Sequence, residues 1–172
     1  EKALLASRGA GIPNSYWQWS DMIEANNRGY FPYTPATNLL FGLAEAIDML
    51  NEEGLENVFS RHIRHGAATR KAVEAWGLEV QCTVDSEFSP VLTAVRVPEG
   101  VDADHLRSVI LASCDISLGN GLSKVQGKVF RIGHLGDIND ATLLGTLAGI
   151  EIGLLMADVP HKSGGAQAAM DY

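Results

Sequence analysis

The residue with the clearest chemical potential in this sequence is Arg131, which lies in the short apolar segment GKVFRIGH. Val129, Phe130 and Ile132 suit a pleated, half-buried surface, so the segment is predicted to be a strand. A guanidinium among such neighbours needs an anionic partner, because its unpaired burial is costly and its planar fork matches a carboxylate or phosphate. The partner is either an acidic small molecule or one of the chain's own carboxylates.

Five glycines lie around Arg131 between residues 119 and 136, and they leave open space near its side chain. Alternation along the strand places Val129 and Arg131 on one face and Phe130 and Ile132 on the other. Our hypothesis is therefore that Arg131 receives an acidic small molecule. From these residues alone, an internal salt bridge is the simpler interpretation.

A second segment with unusual chemistry is RGYFPYTP, residues Arg28–Pro35, which combines three aromatic residues, two prolines and Thr34. The prolines exclude a regular helix, so we predict a loop that contacts a ligand or another subunit. Packing against the following helix is the alternative. Trp17 and Trp19, just upstream, are interpreted as a buried anchor or an interface, and stacking on a ligand is the less favoured alternative.

Two histidines, His62 and His65, are one helical turn apart in the segment RHIRH and are spaced to share a metal. Because no carboxylate or cysteine nearby completes a ligand set, a basic solvated face is the preferred interpretation and no metal site is predicted. Cys82 and Cys114 are far apart and have no metal-type spacing. The sequence therefore predicts neither a zinc site nor a disulfide, and a reducing, cytoplasmic setting.

The composition is that of an ordinary globular chain, with 172 residues, 46% hydrophobic, 20% charged and a formal net charge of -8. An acidic chain lacks the basic surface that phosphate neutralisation requires, so no nucleic-acid partner is expected. The longest apolar run, Leu143–Ala157, is shorter than the roughly 20 residues that span a bilayer and contains Glu151. It predicts a buried helix and no membrane partner.

The hydrophobic pattern predicts an α+β fold. The predicted helices lie within Glu1–Ser7, Asp21–Asn27 with Ser20 as N-cap, Thr37–Glu53, Leu55–Trp76 with a left-handed stop at Gly77, Asp102–Ser113, and Ala141–Met156 capped by Asp137 or Asn139. The predicted strands are Leu78–Thr83, Val91–Val97, Ile116–Leu118 and Lys128–His134. Gly9–Asn14 is predicted to be a turn, and Asp158–Tyr172 a weakly structured tail. The uncapped first helix suggests that the chain begins in mid-domain.

Two longer stretches, RGYFPYTPATNLLFGLAEAIDMLNEEGLENVFSRH and LSKVQGKVFRIGHLGDIN, resemble the C-terminal part of the class V aminotransferases. Within that family they are most similar to the serine-glyoxylate and alanine-glyoxylate enzymes. The resemblance covers nearly the whole chain. It implies a fold type I pyridoxal-phosphate enzyme, with an active site at a dimer interface.

The resemblance also implies a domain organisation. Residues 1–36 would be the end of the large domain and a connecting segment with an interface loop. Residues 37–157 would be the small C-terminal α+β domain, with a short antiparallel or mixed sheet and covering helices. Residues 158–172 would be a tail.

The resemblance assigns roles to individual residues. It implies that Arg131 binds the α-carboxylate of the amino-acid or 2-oxo-acid substrate. Thr34 corresponds to a residue that reaches the phosphate of pyridoxal 5'-phosphate in the neighbouring subunit, and Phe31 to an aromatic residue at the same shared site. Tyr33 is a further cofactor-binding candidate without an assigned role.

The family's Schiff-base lysine and the aspartate that pairs with the pyridine nitrogen have no counterpart in this sequence. Lys2 lies after the lysine motif, and Lys124 and Lys128 belong to the segment before Arg131. The chain alone is therefore predicted to be inactive, with no catalytic residue of its own. The complete enzyme is expected to transfer an amino group from serine or alanine to glyoxylate, as a cytoplasmic homodimer or higher homo-oligomer. The alternative is a non-catalytic α+β domain that binds a small carboxylate or mediates subunit contacts.

Overall fold

The amphipathic segments of the sequence form helices in the computed structural model, which describes residues 1–12 and 15–172. The helices are α1 (Lys2–Ser7), α2 (Trp19–Asn27), α3 (Thr37–Glu53), α4 (Leu55–Trp76), α5 (Ala103–Cys114), α6 (Asp140–Met156) and α7 (Gly165–Met170). The strands are β1 (Glu79–Val80), β2 (Leu92–Arg96), β3 (Gly119–Asn120) and β4 (Val129–Gly133). The predicted turn at Gly9–Asn14 ends at residues 13 and 14, which lie outside the described residues.

Local signals set three of the helix ends. Asp102 accepts a hydrogen bond from the Asp104 N–H at 2.8 Å and so caps α5. Of the two caps predicted for α6, the structure uses Asn139, which accepts from the Thr142 N–H at 2.9 Å. Gly77 ends α4 with a φ of 73°, in the left-handed region that favours glycine.

The N-cap predicted for α2 is wrong. The helix begins at Trp19, one position before Ser20, and the Ser20 hydroxyl donates to the Asp21 carboxylate instead of accepting from a backbone N–H. Ser20 therefore lies in the first turn of the helix, where it cannot act as the N-cap.

The four strands form one antiparallel sheet in the order β1-β2-β4-β3. The predicted α+β class with a short antiparallel sheet is confirmed. The strand predicted at Ile116–Leu118 is wrong, because pairing begins only at Gly119. The Leu118 carbonyl instead accepts a hydrogen bond from Arg107 Nε at 2.8 Å. A side chain thus bonds the carbonyl that would otherwise accept a hydrogen bond from a neighbouring strand.

Residues 1–52 and 53–172 form two compact units. In the first unit α3 buries none of its residues within the part of the chain that the structure describes, and Trp17 and Trp19 are 74% and 63% exposed. The buried-anchor interpretation of the two tryptophans is therefore wrong for this chain. The predicted domain boundaries at residues 36 and 157 remain a prediction.

The core of the second unit lies between one face of the sheet and the helices α4, α5, α6 and α7. Helix α6 is apolar on most sides and, as predicted, it packs against more than one neighbour. Gly149 and Gly153 bring its backbone against α5 and the segment after it. A Cβ at these positions would lie 2.2 Å from Ile116 and 2.1 Å from Ile110. No helix within the described residues is long and apolar enough to cross a bilayer.

The segment predicted to be a weakly structured tail contains helix α7, which packs against α4 and α6 and is anchored at its start by one carboxylate. Glu151 on α6 accepts hydrogen bonds from the Gly164 and Gly165 N–H groups at 2.6 and 2.8 Å, and from Trp76 Nε1 at 2.8 Å. Burial alone would raise the pKa of Glu151, but these donors hold it below its ordinary value. The Glu151 carboxylate thus joins Trp76 of α4 to the start of α7. The prediction of a weakly structured tail was therefore wrong.

Replacing Glu151 with glutamine should lower the free energy of unfolding of the chain by about 1–3 kcal/mol, because an amide cannot accept all three N–H bonds without turning its own NH₂ towards a donor. Chemical denaturation at neutral pH measures the change. Glu99→Gln, at an exposed position, is the matched control and should stay within about 0.5 kcal/mol of the wild type. Equal stability of both variants would contradict this account of the α7 anchor.

Candidate functional site

Arg131 is the central residue of β4 and lies between two small residues in the sheet. Antiparallel pairing places it opposite Ala94 of β2 on one side and opposite Gly119 of β3 on the other. Its neighbours Phe130 and Ile132 are fully buried in the core, whereas Arg131 is half-buried on the opposite face. The two residues paired with Arg131 are small, whereas Val129, on the same face of β4, is buried.

The Arg131 guanidinium uses one of its nitrogens within the chain. Nε donates to the Asn120 carbonyl at 2.8 Å. Among the described residues, no carboxylate lies within the 4.0 Å of an ion pair with Arg131, although seven other pairs are found. The internal salt bridge, which was the simpler interpretation, is therefore not observed. The site therefore has a guanidinium without a carboxylate partner among the described residues, which is what the external-anion hypothesis needs.

The loop that follows β4 is held by the RHIRH segment of α4. Arg61 donates from Nη1 to the Gly136 and Ile138 carbonyls at 2.8 and 3.1 Å. Its Nε and Nη2 bind both oxygens of Glu53, at 2.6 and 2.7 Å. This bidentate pair raises the pKa of Arg61 and lowers that of Glu53, chiefly through the shared hydrogen bonds. Arg61 thus fixes the backbone of the loop that leaves the Arg131 strand.

The two histidines of the same segment also contact this loop region. The Nδ1 atom of His62 lies 2.7 Å from the Val58 carbonyl, and its Nε2 accepts the Gly136 N–H at 3.1 Å. His65 places Nε2 2.9 Å from an Asp140 oxygen. Both rings are buried, so the predicted solvated basic face is wrong for His62 and His65. His62 and His65, whose spacing of one helical turn is also that of a shared metal site, instead make hydrogen bonds to Gly136 and Asp140.

Asp140, the first residue of α6, receives two basic side chains of α4. Arg64 approaches one of its oxygens at 2.8 Å, and His65 contacts the same oxygen. The hydrogen bond from Arg64, followed by that from His65, lowers the pKa of Asp140 below its ordinary value. All four basic residues of RHIRH therefore bind the stretch from Gly136 to Asp140. We refer to these four residues as the α4 clamp.

His134, the residue directly after β4, is the third buried histidine. Nδ1 donates to the Pro90 carbonyl and Nε2 accepts from the Thr93 hydroxyl, each at 3.0 Å. Burial is the main cause that lowers the pKa of His134 to about 4, and nearby Arg70 adds to the effect. The ring is therefore neutral at physiological pH, and it ties the end of β4 to the start of β2. Sequence reasoning missed this role, although a histidine at the end of an apolar strand was a signal.

The cofactor-binding candidates Phe31, Tyr33 and Thr34 lie together in one loop of the first unit. Asn26 holds the base of the loop, because its side-chain amide donates to the Tyr30 carbonyl at 2.9 Å. All three candidates are exposed, and the Tyr33 ring centre lies 5.3 Å from that of Tyr16. Within the described residues the Thr34 hydroxyl makes no hydrogen bond, so it is free to donate. The predicted loop is confirmed as non-helical.

Comparison with known proteins relates the whole chain to glyoxylate aminotransferases. It is 47% identical, over its full length, to the serine-glyoxylate aminotransferase of Methylorubrum extorquens, and 46% identical over 99% of its length to that of Arabidopsis thaliana. It spans 44% and 43% of these relatives, which is less than half of each. No family model matches the chain.

A solved structure supports the same relationship. The ureidoglycine-glyoxylate aminotransferase of Bacillus subtilis superposes with a TM-score of 0.86 and 35% sequence identity, over 96% of this chain and 43% of that protein. The architecture described above is therefore found within a longer aminotransferase chain.

His134 makes the stability of the chain depend on pH. Its pKa is near 6.5 when unfolded and about 4 when folded, so the unfolded state binds more protons between these values. The contribution of the neutral ring is fully present above pH 6.5 and is lost as pH falls towards 4, by about 3 kcal/mol in total. Unfolding free energies measured from pH 7 to pH 4 should fall less steeply in His134→Gln than in the wild type.

The matched control for this experiment is His105→Gln, because His105 is exposed. It should keep the wild-type slope with pH. A His134→Gln slope equal to that of the wild type would show that His134 is not neutral in the folded state.

Proposed function

Because this chain belongs to the class V aminotransferases of the serine-glyoxylate type, we propose that its protein transfers an amino group from serine or alanine to glyoxylate. Related enzymes of this fold depend on pyridoxal phosphate, and we propose the same cofactor here. The relatives described above share glyoxylate in their names but differ in the amino donor. Support is thus stronger for the acceptor than for the donor.

The observation that carries the proposal is the Arg131 guanidinium, half-buried between Ala94 and Gly119 with no ion-pair partner in the described residues. Serine, alanine and glyoxylate all present a carboxylate, which matches a guanidinium in charge and shape. One arginine can therefore receive the donor and the acceptor in turn. Holding the carboxylate fixes the orientation of the reacting carbon, which is how this chain would contribute to the rate.

The loop of the first unit fits a supporting role towards the cofactor. Thr34 offers an exposed hydroxyl that can donate to a phosphate oxygen, and residues 29–36 contain no acidic residue that would repel a phosphate. Phe31 and Tyr33 present exposed aromatic surface beside it. When bound, pyridoxal phosphate supplies the electron withdrawal that labilises bonds at the substrate Cα. We propose that Thr34, Phe31 and Tyr33 hold it from the neighbouring subunit of a homodimer.

We further propose that none of the five lysines of this chain forms the covalent bond to the cofactor. A nucleophilic lysine is usually activated by burial or by a neighbouring cation, which favours its neutral form. All five lysines are exposed, and Lys71 pairs with Glu74, which raises its pKa. The chain alone is therefore expected to be inactive.

A cytoplasmic location is part of the same proposal, in keeping with the two free cysteines, Cys82 and Cys114.

In the full-length enzyme, Arg131→Ala should raise KM for both the amino donor and glyoxylate while the cofactor absorbance stays intact. Hydrogen bonds between charged groups contribute about 1.5–3 kcal/mol, which corresponds to roughly a 10- to 150-fold rise. The control is Arg96→Ala, because Arg96 lies on the adjacent strand and is exposed. Steady-state kinetics with both substrates measures the effect, and an unchanged KM for both in Arg131→Ala would refute the assignment.

Thr34→Val removes the hydroxyl and keeps the shape of the side chain, so it should weaken the affinity of the full-length protein for pyridoxal phosphate. The loss of one charge-assisted hydrogen bond predicts a rise in Kd of about tenfold or more. Reconstitution of the apoenzyme, followed by absorbance, measures the Kd. The exposed Thr83, changed to valine, is the control, and equal affinities of the two variants would exclude Thr34 from the phosphate site.

A further inference from the structure

We propose that the segment Gly119–Asn120 positions Arg131 so that the substrate carboxylate binds to the edge formed by its two terminal nitrogens. This inference rests on the proposed function, because it assumes that Arg131 receives the carboxylate. It adds two positioning residues and a binding direction to that role.

The first argument comes from the hydrogen bonds of the guanidinium. An arginine can bind a carboxylate through two parallel N–H groups at either of two edges, one formed by Nε with a terminal nitrogen and one formed by Nη1 with Nη2. Nε of Arg131 already donates to the Asn120 carbonyl at 2.8 Å. The first edge has therefore lost one of its two donors. Only the Nη1–Nη2 edge keeps a complete pair.

The second argument comes from the space at Gly119, which is paired with Arg131 across the β3–β4 ladder. A Cβ built on Gly119 would lie 3.0 Å from Nε, 3.1 Å from Cβ and 3.4 Å from Cζ of Arg131. One of these close contacts is to Cβ of Arg131, whose position is fixed by the backbone of the strand. A methyl group at residue 119 would therefore force the Arg131 side chain to shift slightly, which would disturb the bond between Nε and the Asn120 carbonyl.

The direction of the Asn120 carbonyl is itself constrained. Asn120 pairs with Phe130, which is fully buried in the core. On its other side, a Cβ at Gly121 would lie 2.1 Å from the Val125 carbonyl oxygen, because the chain folds back closely there. The acceptor for Nε is thus part of a backbone path that leaves little freedom. This orients the arginine before any substrate binds, which reduces the cost of ordering it.

The experiment uses Gly119→Ala in the full-length enzyme. We expect KM for serine and for glyoxylate to rise about tenfold, with kcat changed less than about twofold and the cofactor absorbance unchanged. Gly145→Ala is the matched control, because Gly145 lies on the exposed side of α6 with no atom within 4 Å of a built Cβ, and it should leave both constants unchanged. If the variant only folded less well, the apparent kcat would fall because less enzyme is active, but KM of the folded enzyme would stay the same.

The outcomes separate this inference from the proposed function. If Arg131→Ala raises KM and Gly119→Ala does not, the positioning role is wrong and the carboxylate role stands. If neither variant raises KM, the carboxylate role of Arg131 fails as well.

A second measurement does not depend on any variant folding. In a crystal structure of the full-length wild-type enzyme with glyoxylate, the carboxylate should contact Nη1 and Nη2 while Nε keeps its bond to the Asn120 carbonyl. A carboxylate bound to Nε, or an Nε that has left Asn120, would overturn the inference.

Discussion

The pairing of β2 with β4 is the constraint on which the second unit depends. It runs over five residue pairs, from Leu92 opposite Gly133 to Arg96 opposite Val129. Because successive side chains of a strand point to opposite faces, this single register places Phe130 and Ile132 in the core and leaves Arg131 half-buried on the opposite face. A shift by one residue would bury the guanidinium and expose two core side chains. Burial of apolar surface and presentation of the charge are therefore two results of the same alignment.

The α4 clamp shows how a helix can fix the loop that follows a strand of the sheet. Arg61 and His62 bind the backbone of Gly136, and Arg64 and His65 bind the Asp140 carboxylate. The charged members contact anionic or carbonyl oxygens, and His62 uses both ring nitrogens in hydrogen bonds. Nδ1 of His65, in contrast, is buried without a hydrogen-bond partner among the described residues, although an unpaired buried polar atom is costly. With His134, the clamp holds both ends of the segment that leaves the Arg131 strand.

Sequence reasoning was most successful where the signal is local. The helix α3, the Gly77 stop, the Asp102 cap and the strand around Arg131 follow from periodicity and capping chemistry that lie within a few residues. It failed where the partner is distant in the sequence. The burial of His62 and His65 does not follow from neighbouring residues, because their partners Gly136 and Asp140 lie 74 and 75 residues away. The same is true of Glu151, whose partner Trp76 lies 75 residues away on another helix. The candidate site was partly predictable, since Arg131 was identified from its strand, whereas the hydrogen bond to Asn120 depends on the ladder with β3.

These long separations have a consequence for how the second unit is made. The contacts of Arg61 with Ile138, His65 with Asp140, and Trp76 with Glu151 each join residues 75 to 77 positions apart. Contacts between residues this far apart form late, because loop closure must precede them. During synthesis, α4 emerges well before α6 and α7 can cover it. Its apolar and basic faces must therefore remain without their native partners for that interval, so we expect nascent chains to be more prone to aggregation than the finished fold.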